Sequence, residues 1–291
     1  MDVAVLIQYI NQQHGCAFSL VARCAGGTRG AYELADAHGR RAILKFGDQL
    51  PWLARLRQAE TLGERLRAIG YPTPCTHFLG AAPDDGWYQV QEFAPGAPMS
   101  ASLTPADLEL LLALNELQAD QRRATDRVWP DWSRYMQDVI FAGASGWTDL
   151  LQAHSPATRS LLAALHDAAL TYADVALSTA DIVHGDFLPG NVLVWNGQVS
   201  AVIDFAAMGY GTRAHDLARV FVWCYNDLPA LPRQRLADRI AAITTPAERT
   251  ICLVYAVIDV LAYTIEQHPT AVQAWLQTGW EVLGGLALQR A

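Results

Sequence analysis

The run HGDFLPGN, residues 184–191, sets a carboxylate at Asp186 two places after His184 and a carboxamide at Asn191 five places after the carboxylate. VIDF at 202–205 adds a second carboxylate, Asp204. Two apolar runs, NVLVW and QVSAVIDF, flank Asn196-Gly197, a pair suited to a two-residue hairpin turn. An aspartate on a loop entering a strand can accept a hydroxyl proton, and the asparagine and the second aspartate offer oxygen ligands to Mg²⁺. Phosphoryl transfer needs that equipment, because there the protein does little covalent work: it holds magnesium, neutralises phosphate oxygens and orients the attacking hydroxyl. His184 is expected to brace the loop by hydrogen bonds rather than act as a base.

Residue 45 poses a separate question. The chain has 21 Lys and Arg residues, and Lys45, in RRAILKF, is the only lysine among them.

The elements that must position these residues fall into two differently patterned parts. An amphipathic opening helix precedes three strand-like runs, AFSLVARC, AYELADA and RRAILKF, punctuated by Gly26, Gly27 and Gly30 and then by His38-Gly39. They read as an antiparallel meander. PWLARLRQAETLGERLRAIG repeats apolar residues at helical spacing, with Pro51 near its start and Gly70 past its end. CTHFLG and WYQVQEF are two further strands around the turn-like PDDG at 83–86. The stiff segment EFAPGAPMS marks a boundary, and beyond it helical patterns dominate, at 104–123, 131–142, 157–177, 214–226 and 247–265. The predicted organisation is an N-terminal lobe over 1–93, a linker over 94–99 and a C-terminal lobe over 100–291.

HGDFLPGN together with VIDF resembles the catalytic core of the aminoglycoside phosphotransferases and related small-molecule kinases, distant relatives of the protein kinases. The order of elements resembles theirs along nearly the whole chain. The resemblance implies an α+β, two-lobe protein-kinase-like fold: an antiparallel sheet lobe with one main helix, then a mostly helical lobe carrying the catalytic hairpin. It implies Asp186 as catalytic base, Asn191 and Asp204 as metal ligands, ATP or GTP as phosphoryl donor and Mg²⁺ as cofactor. A lysine on the third strand then contacts the α- and β-phosphates and pairs with a glutamate on the next helix. Lys45 fits that place. A compact ammonium on a flexible stem can touch a phosphate oxygen and a carboxylate in a tight site where a planar guanidinium fits differently. Glu60 is the expected partner, and Glu64, one turn on, can present to the same side. Gly27 and Thr28, in AGGTRG, could bring backbone N–H groups and a hydroxyl to the triphosphate, although alanine replaces the first glycine of the usual pattern. Gln91 and Phe93 fall where hinge backbone groups would meet adenine. After Asp204 the chain reads Phe-Ala rather than Phe-Gly, and Asp216 follows only twelve positions on, so a folded protein substrate is not expected.

Composition narrows the partners. The formal charge is −8, which argues against nucleic acid. Residues 1–98 hold nine basic and nine acidic residues, whereas 99–291 hold twelve and twenty, a field that would draw a cationic small molecule to the second part. Asp216, Asp259 and Glu266 are candidates to meet its ammonium groups; Asp216 reads equally as a structural residue, and Asp259 and Glu266 read more readily as solvated or helix-capping ones. The first residues carry no basic, secretory-type start, and the longest apolar run, ICLVYAVIDVLAYTI, is shorter than a bilayer span, so a cytoplasmic location without membrane contact is expected. Five scattered cysteines suggest neither disulfides nor zinc. The expected activity is O-phosphorylation of an aminoglycoside-type antibiotic. Two alternatives stay open: a macrolide, choline, sugar or amino alcohol as acceptor, with the tryptophan-rich second part lining its pocket, and a catalytically idle nucleotide sensor.

Overall fold

The computed structural model describes residues 2–24, 30–126 and 131–288. In chain order its elements are α1 (Val3–His14), β1 (Ser19–Arg23), β2 (Tyr32–Ala35), β3 (Arg41–Gly47), α2 (Trp52–Arg67), β4 (Thr76–Ala81), β5 (Trp87–Glu92), β6 (Ala97–Pro98), α3 (Pro105–Leu117) and α4 (Trp132–Ala142). There follow α5 (Trp147–His154), α6 (Pro156–Leu170), β7 (Asp181–Val183), β8 (Val192–Trp195), β9 (Gln198–Val202), β10 (Gly209–Gly211), α7 (Ala214–Trp223), α8 (Ala230–Ala242), α9 (Pro246–Gln267) and α10 (Val272–Leu288). The chain forms two compact units, residues 1–97 with 193–207, and residues 98–192 with 208–291. The mixed α/β architecture, with its antiparallel N-terminal sheet and helical C-terminal part, is the one the motifs imply.

In the first unit five antiparallel strands run in the order β1-β2-β3-β5-β4. Side chains alternate across a strand, so Ala42 and Leu44 of β3 turn to one face and Ile43 and Lys45 to the other. The Ala42 and Leu44 face is buried with Leu34, Val90 and Tyr88 under Leu6, Ile7 and Ile10 of α1. Asp2 caps α1, its side chain accepting the Ala4 N–H at 2.7 Å. Leu53, Leu56, Ala59, Leu62 and Leu66 recur at helical spacing and are the buried stripe of α2.

The hairpin β8–β9 turns at Asn196 and Gly197, both at positive φ (52° and 75°), as a primed two-residue turn requires. β6, β8 and β9 form a small sheet in the order β6-β8-β9. Gly96, at φ 124°, lies so close to this hairpin that a Cβ would sit 2.7 Å from the Val194 carbonyl oxygen. Only glycine fits that approach.

The second unit is built on α9, whose side chains are buried nearly all round and against which α4, α5, α6, α7 and α10 pack. At 22 residues α9 is long and apolar enough to cross a membrane by length and composition, contrary to the sequence expectation, but 78% of its apolar window is buried within the protein. It is a core helix. Of the five cysteines, all free, Cys224 and Cys252 are buried, Cys16 and Cys24 half-buried and Cys75 exposed. Burial pushes the Cys224 thiol up to about 12, with Asp227 adding to the rise.

Candidate active site

Each unit assembles part of the motif set. In the second, β7 pairs with β10 and leads straight into the 184–191 loop, with Ile182 and Val183 fully buried beneath it. His184 is also fully buried, and its Nδ1 accepts the Asp186 N–H at 3.2 Å, so it braces the loop as expected. The Asn191 amide nitrogen donates to the Asp186 backbone oxygen at 2.8 Å and to its Oδ2 at 2.9 Å. That orientation leaves the amide oxygen of Asn191 as its acceptor end.

Behind the loop lies a buried polar anchor. Asp216 is fully buried; Oδ2 accepts the His184 N–H at 2.8 Å and the Gln118 amide at 2.7 Å, and Oδ1 accepts the Gly185 N–H at 3.0 Å. Asn115 in turn donates to Gln118 Oε1 at 2.9 Å. Burial alone would raise the Asp216 carboxyl, but hydrogen bonds from the His215 ring and the His184 N–H outweigh it, and the net shift is downward. Asp216 is therefore engaged as a loop anchor, the structural one of its two expected roles. Asp259 is also engaged: its Oδ2 accepts Arg219 Nε at 2.8 Å. The same arginine reaches the Gly185 carbonyl at 2.6 Å and Asp186 Oδ1 at 3.0 Å. Burial would lower the Arg219 guanidinium, yet the carboxylates of Asp259 and Asp186 raise it above its ordinary value. Glu266 is exposed near the C-terminal end of α9.

In the first unit Lys45 Nζ lies 3.3 Å from Asp204 Oδ1. Two contacts place Asp204 there. The Val202 N–H donates to the Pro72 carbonyl at 2.7 Å, and Phe205, 2% exposed, belongs to a short turn packed on α2. Burying such a side chain is worth about 1.5–3 kcal/mol. Asp204 itself sits at φ 64°, left-handed backbone that aspartate tolerates better than most residues.

Glu60 departs from expectation. It bonds to Arg67 and to the Thr76 hydroxyl, and Thr76 accepts the Gln89 amide at 3.0 Å. Lys45 pairs with Asp204, and among the described residues it makes no ion pair with Glu60 or Glu64. Arg67, seven residues on from Glu60, is paired with that carboxylate. Gln91 is buried within β5, and Phe93 lies beneath the Arg41 guanidinium, 3.5 Å from its ring centre. Gly27 and Thr28 lie outside the described residues. Arg219, Gln118, Arg67 and Thr76 were missed in the sequence. The only signal was Arg219 lying one turn after Asp216 in AHDLARV, a spacing many surface arginines share.

Asn191 and Asp204 are hard oxygen donors, the kind Mg²⁺ takes. No group of three or more His, Cys, Asp or Glu placed to hold a metal ion occurs among the described residues.

A model of the phosphotransferase enzyme family matches residues 21–250. No curated protein matches the sequence. Among solved structures, a thermostable mutant of an aminoglycoside phosphotransferase, in ternary complex with AMP-PNP and hygromycin B, is 16% identical with a TM-score of 0.71, covering 97% of this chain and 98% of its own. An amicoumacin kinase in complex with AMP-PNP, Ca²⁺ and Ami is 14% identical with a TM-score of 0.66, covering 98% and 94%. An aminoglycoside phosphotransferase from Alicyclobacillus acidocaldarius is 18% identical with a TM-score of 0.59, covering 93% and 92%. At such identities the likeness is one of fold. The family match spans most of the length and takes in HGDFLPGN, VIDF and Lys45, and the chain belongs to the phosphotransferase enzyme family.

Proposed function

We propose that this enzyme transfers the terminal phosphoryl group of ATP or GTP, with Mg²⁺, to a hydroxyl of a small molecule, and that an aminoglycoside-type antibiotic is the acceptor to test first. The acceptor oxygen forms a bond to the γ-phosphorus as the bond from that phosphorus to the nucleoside diphosphate oxygen breaks. Asp186 orients the hydroxyl and takes its proton. Lys45 offsets charge on the α- and β-phosphates. Asn191 and Asp204 would hold Mg²⁺, which when bound neutralises phosphate oxygens.

The observation that carries this reading is the state of Asp186, whose two carboxylate oxygens are each fixed by one donor, Arg219 at Oδ1 and Asn191 at Oδ2. Each oxygen keeps lone-pair capacity for a further hydrogen, as a base that aligns a hydroxyl needs. The acidic second part and the hygromycin B complex of a fold relative support the antibiotic acceptor. The acceptors of the alternative class, with fewer positive charges, are favoured by a different observation: Asp216 and Asp259 are already committed within the fold.

Incubation with Mg-ATP or Mg-GTP and a panel of hygromycin B, other aminoglycosides, a macrolide, choline, sugars and amino alcohols tests it. A phosphate-sized mass gain names the acceptor, whereas nucleotide binding with no turnover points to a sensor. Asp186→Asn should lower kcat by about 10²- to 10⁴-fold and leave nucleotide affinity in place. Wild-type turnover in that variant would sink the assignment.

A further inference from the structure

We propose that Arg219 is a positioning residue for Asp186, held from behind by Asp259, so that α7 and α9 together set the angle of the carboxylate that receives the acceptor's proton. The inference rests on Asp186 having that role.

Two residues one turn apart on α7 grip opposite polarities of one loop. Asp216 takes the N–H groups of His184 and Gly185, and Arg219 takes the Gly185 carbonyl and the Asp186 carboxylate. Asp216 alone would leave the Asp186 side chain turning about its own bonds. A guanidinium at Oδ1 and the Asn191 amide at Oδ2 make a two-point hold on a planar group, which fixes its plane as well as its position.

Arg219 can do this because it is itself fixed. Its side chain is 14% exposed, and its Nε is engaged by Asp259, whose side chain is 10% exposed. The helices carrying the pair are locked in register by neighbouring rungs, each four residues further along both. His215 lies against Tyr255 with ring centroids 5.3 Å apart, then Arg219 meets Asp259, then Trp223 meets Tyr263 at 5.6 Å. A helical turn advances about 5.4 Å, so the aromatic rungs bracket the ionic one directly. Arginine suits the place because Nε and Nη1 point in different directions from one rigid plane. A lysine keeps the charge and loses the second direction.

The test uses the full chain with Arg219→Lys, Arg219→Met and Asp259→Asn. It reads amide hydrogen exchange of the protein without ligands, kcat and KM for Mg-ATP with the acceptor found by the panel, and thermal unfolding. Arg219→Lys is included because removal of a buried cation can prevent folding, and Asp259→Asn loosens Arg219 without touching it. The expected result is faster exchange confined to residues 184–191 in all three variants. With it, kcat falls about 10²-fold in Arg219→Lys, the scale of an ångström's misplacement, with KM for Mg-ATP little changed. Wild-type kcat with unaltered loop exchange overturns the proposal. So does exchange that rises uniformly across the second unit with a lowered melting temperature, since that marks a merely structural ion pair. Should no acceptor be phosphorylated by the wild type, the kinase reading fails, and loop exchange alone then decides whether Arg219 holds Asp186.

Discussion

Lys45 and Asp204 form an ion pair whose setting lets it contribute little to stability. Their side chains are 20% and 52% exposed and their charged atoms 3.3 Å apart. Pairs in that setting are worth about 0–1 kcal/mol once solvent screening and side-chain entropy are counted. Toward a bound polyphosphate the same ammonium counts for more, because a hydrogen bond to a charged group is worth about 1.5–3 kcal/mol. Lys45→Met should therefore move the denaturation midpoint little and weaken Mg-ATP binding by roughly 10- to 100-fold, measured by calorimetric titration. A large stability loss with unchanged nucleotide affinity would make Lys45 a structural residue. Glu60 gives the contrasting case. It is bound to Arg67 and Thr76 within the α2 to β4 region, so its replacement should first loosen the sheet lobe rather than the phosphate contact.

At the scale of elements, three of the expected helices start at capping boxes. Thr104 and Asp107 open α3, Ser155 and Thr158 open α6, and Thr245 and Glu248 open α9, each with a proline at the first helical positions. Glu248 has a second task, because its Oε1 accepts the Ser178 N–H at 2.9 Å and so pins the segment leading to β7. Thr245→Ala should cost about 1 kcal/mol, the usual value of a lost cap. Glu248→Ala should cost more, about 1–3 kcal/mol beyond the cap, since it orphans a backbone donor beside a largely buried side chain. Urea unfolding of both variants checks the order, and equal losses would show that the Ser178 contact is idle. The Asn196-Gly197 turn is local, which is why it is legible in the sequence. The three-residue strands β7 and β10 are too short to display a period, and they were not foreseen. The motif residues HGDFLPGN and VIDF were legible because their spacing along the chain is itself the chemistry. Arg219 and Arg67 were not, because their roles depend on which carboxylate the folded chain brings within reach.

For the molecule as a whole, four acids of the second part are engaged inside the fold: Asp216 on loop amides, Asp259 on Arg219, Glu248 on a cap, Asp181 on the Asp120 and Arg213 N–H groups. Stability against acid should follow these groups with opposite signs. Asp216 has a lowered folded pKa, so its contribution is complete above the unfolded aspartate value of about 3.9 and is lost as pH falls below that, through the folded value. Asp181 is raised, chiefly by burial, so it favours folding below its unfolded value and gives that up as pH rises through its folded one. The lowered carboxyls of Glu33, Asp36 and Glu109 are held by exposed arginines, and screening makes them minor. The wild type should therefore lose stability as pH falls below about 4, with Asp216 leading the loss. Asp216→Asn, which keeps one acceptor and removes the charge, should start lower at pH 7 and lose less over the same acid range. Thermal melts of both proteins from pH 7 to about 2 decide it, because parallel acid limbs would mean that Asp216 carries no special share of the acid sensitivity.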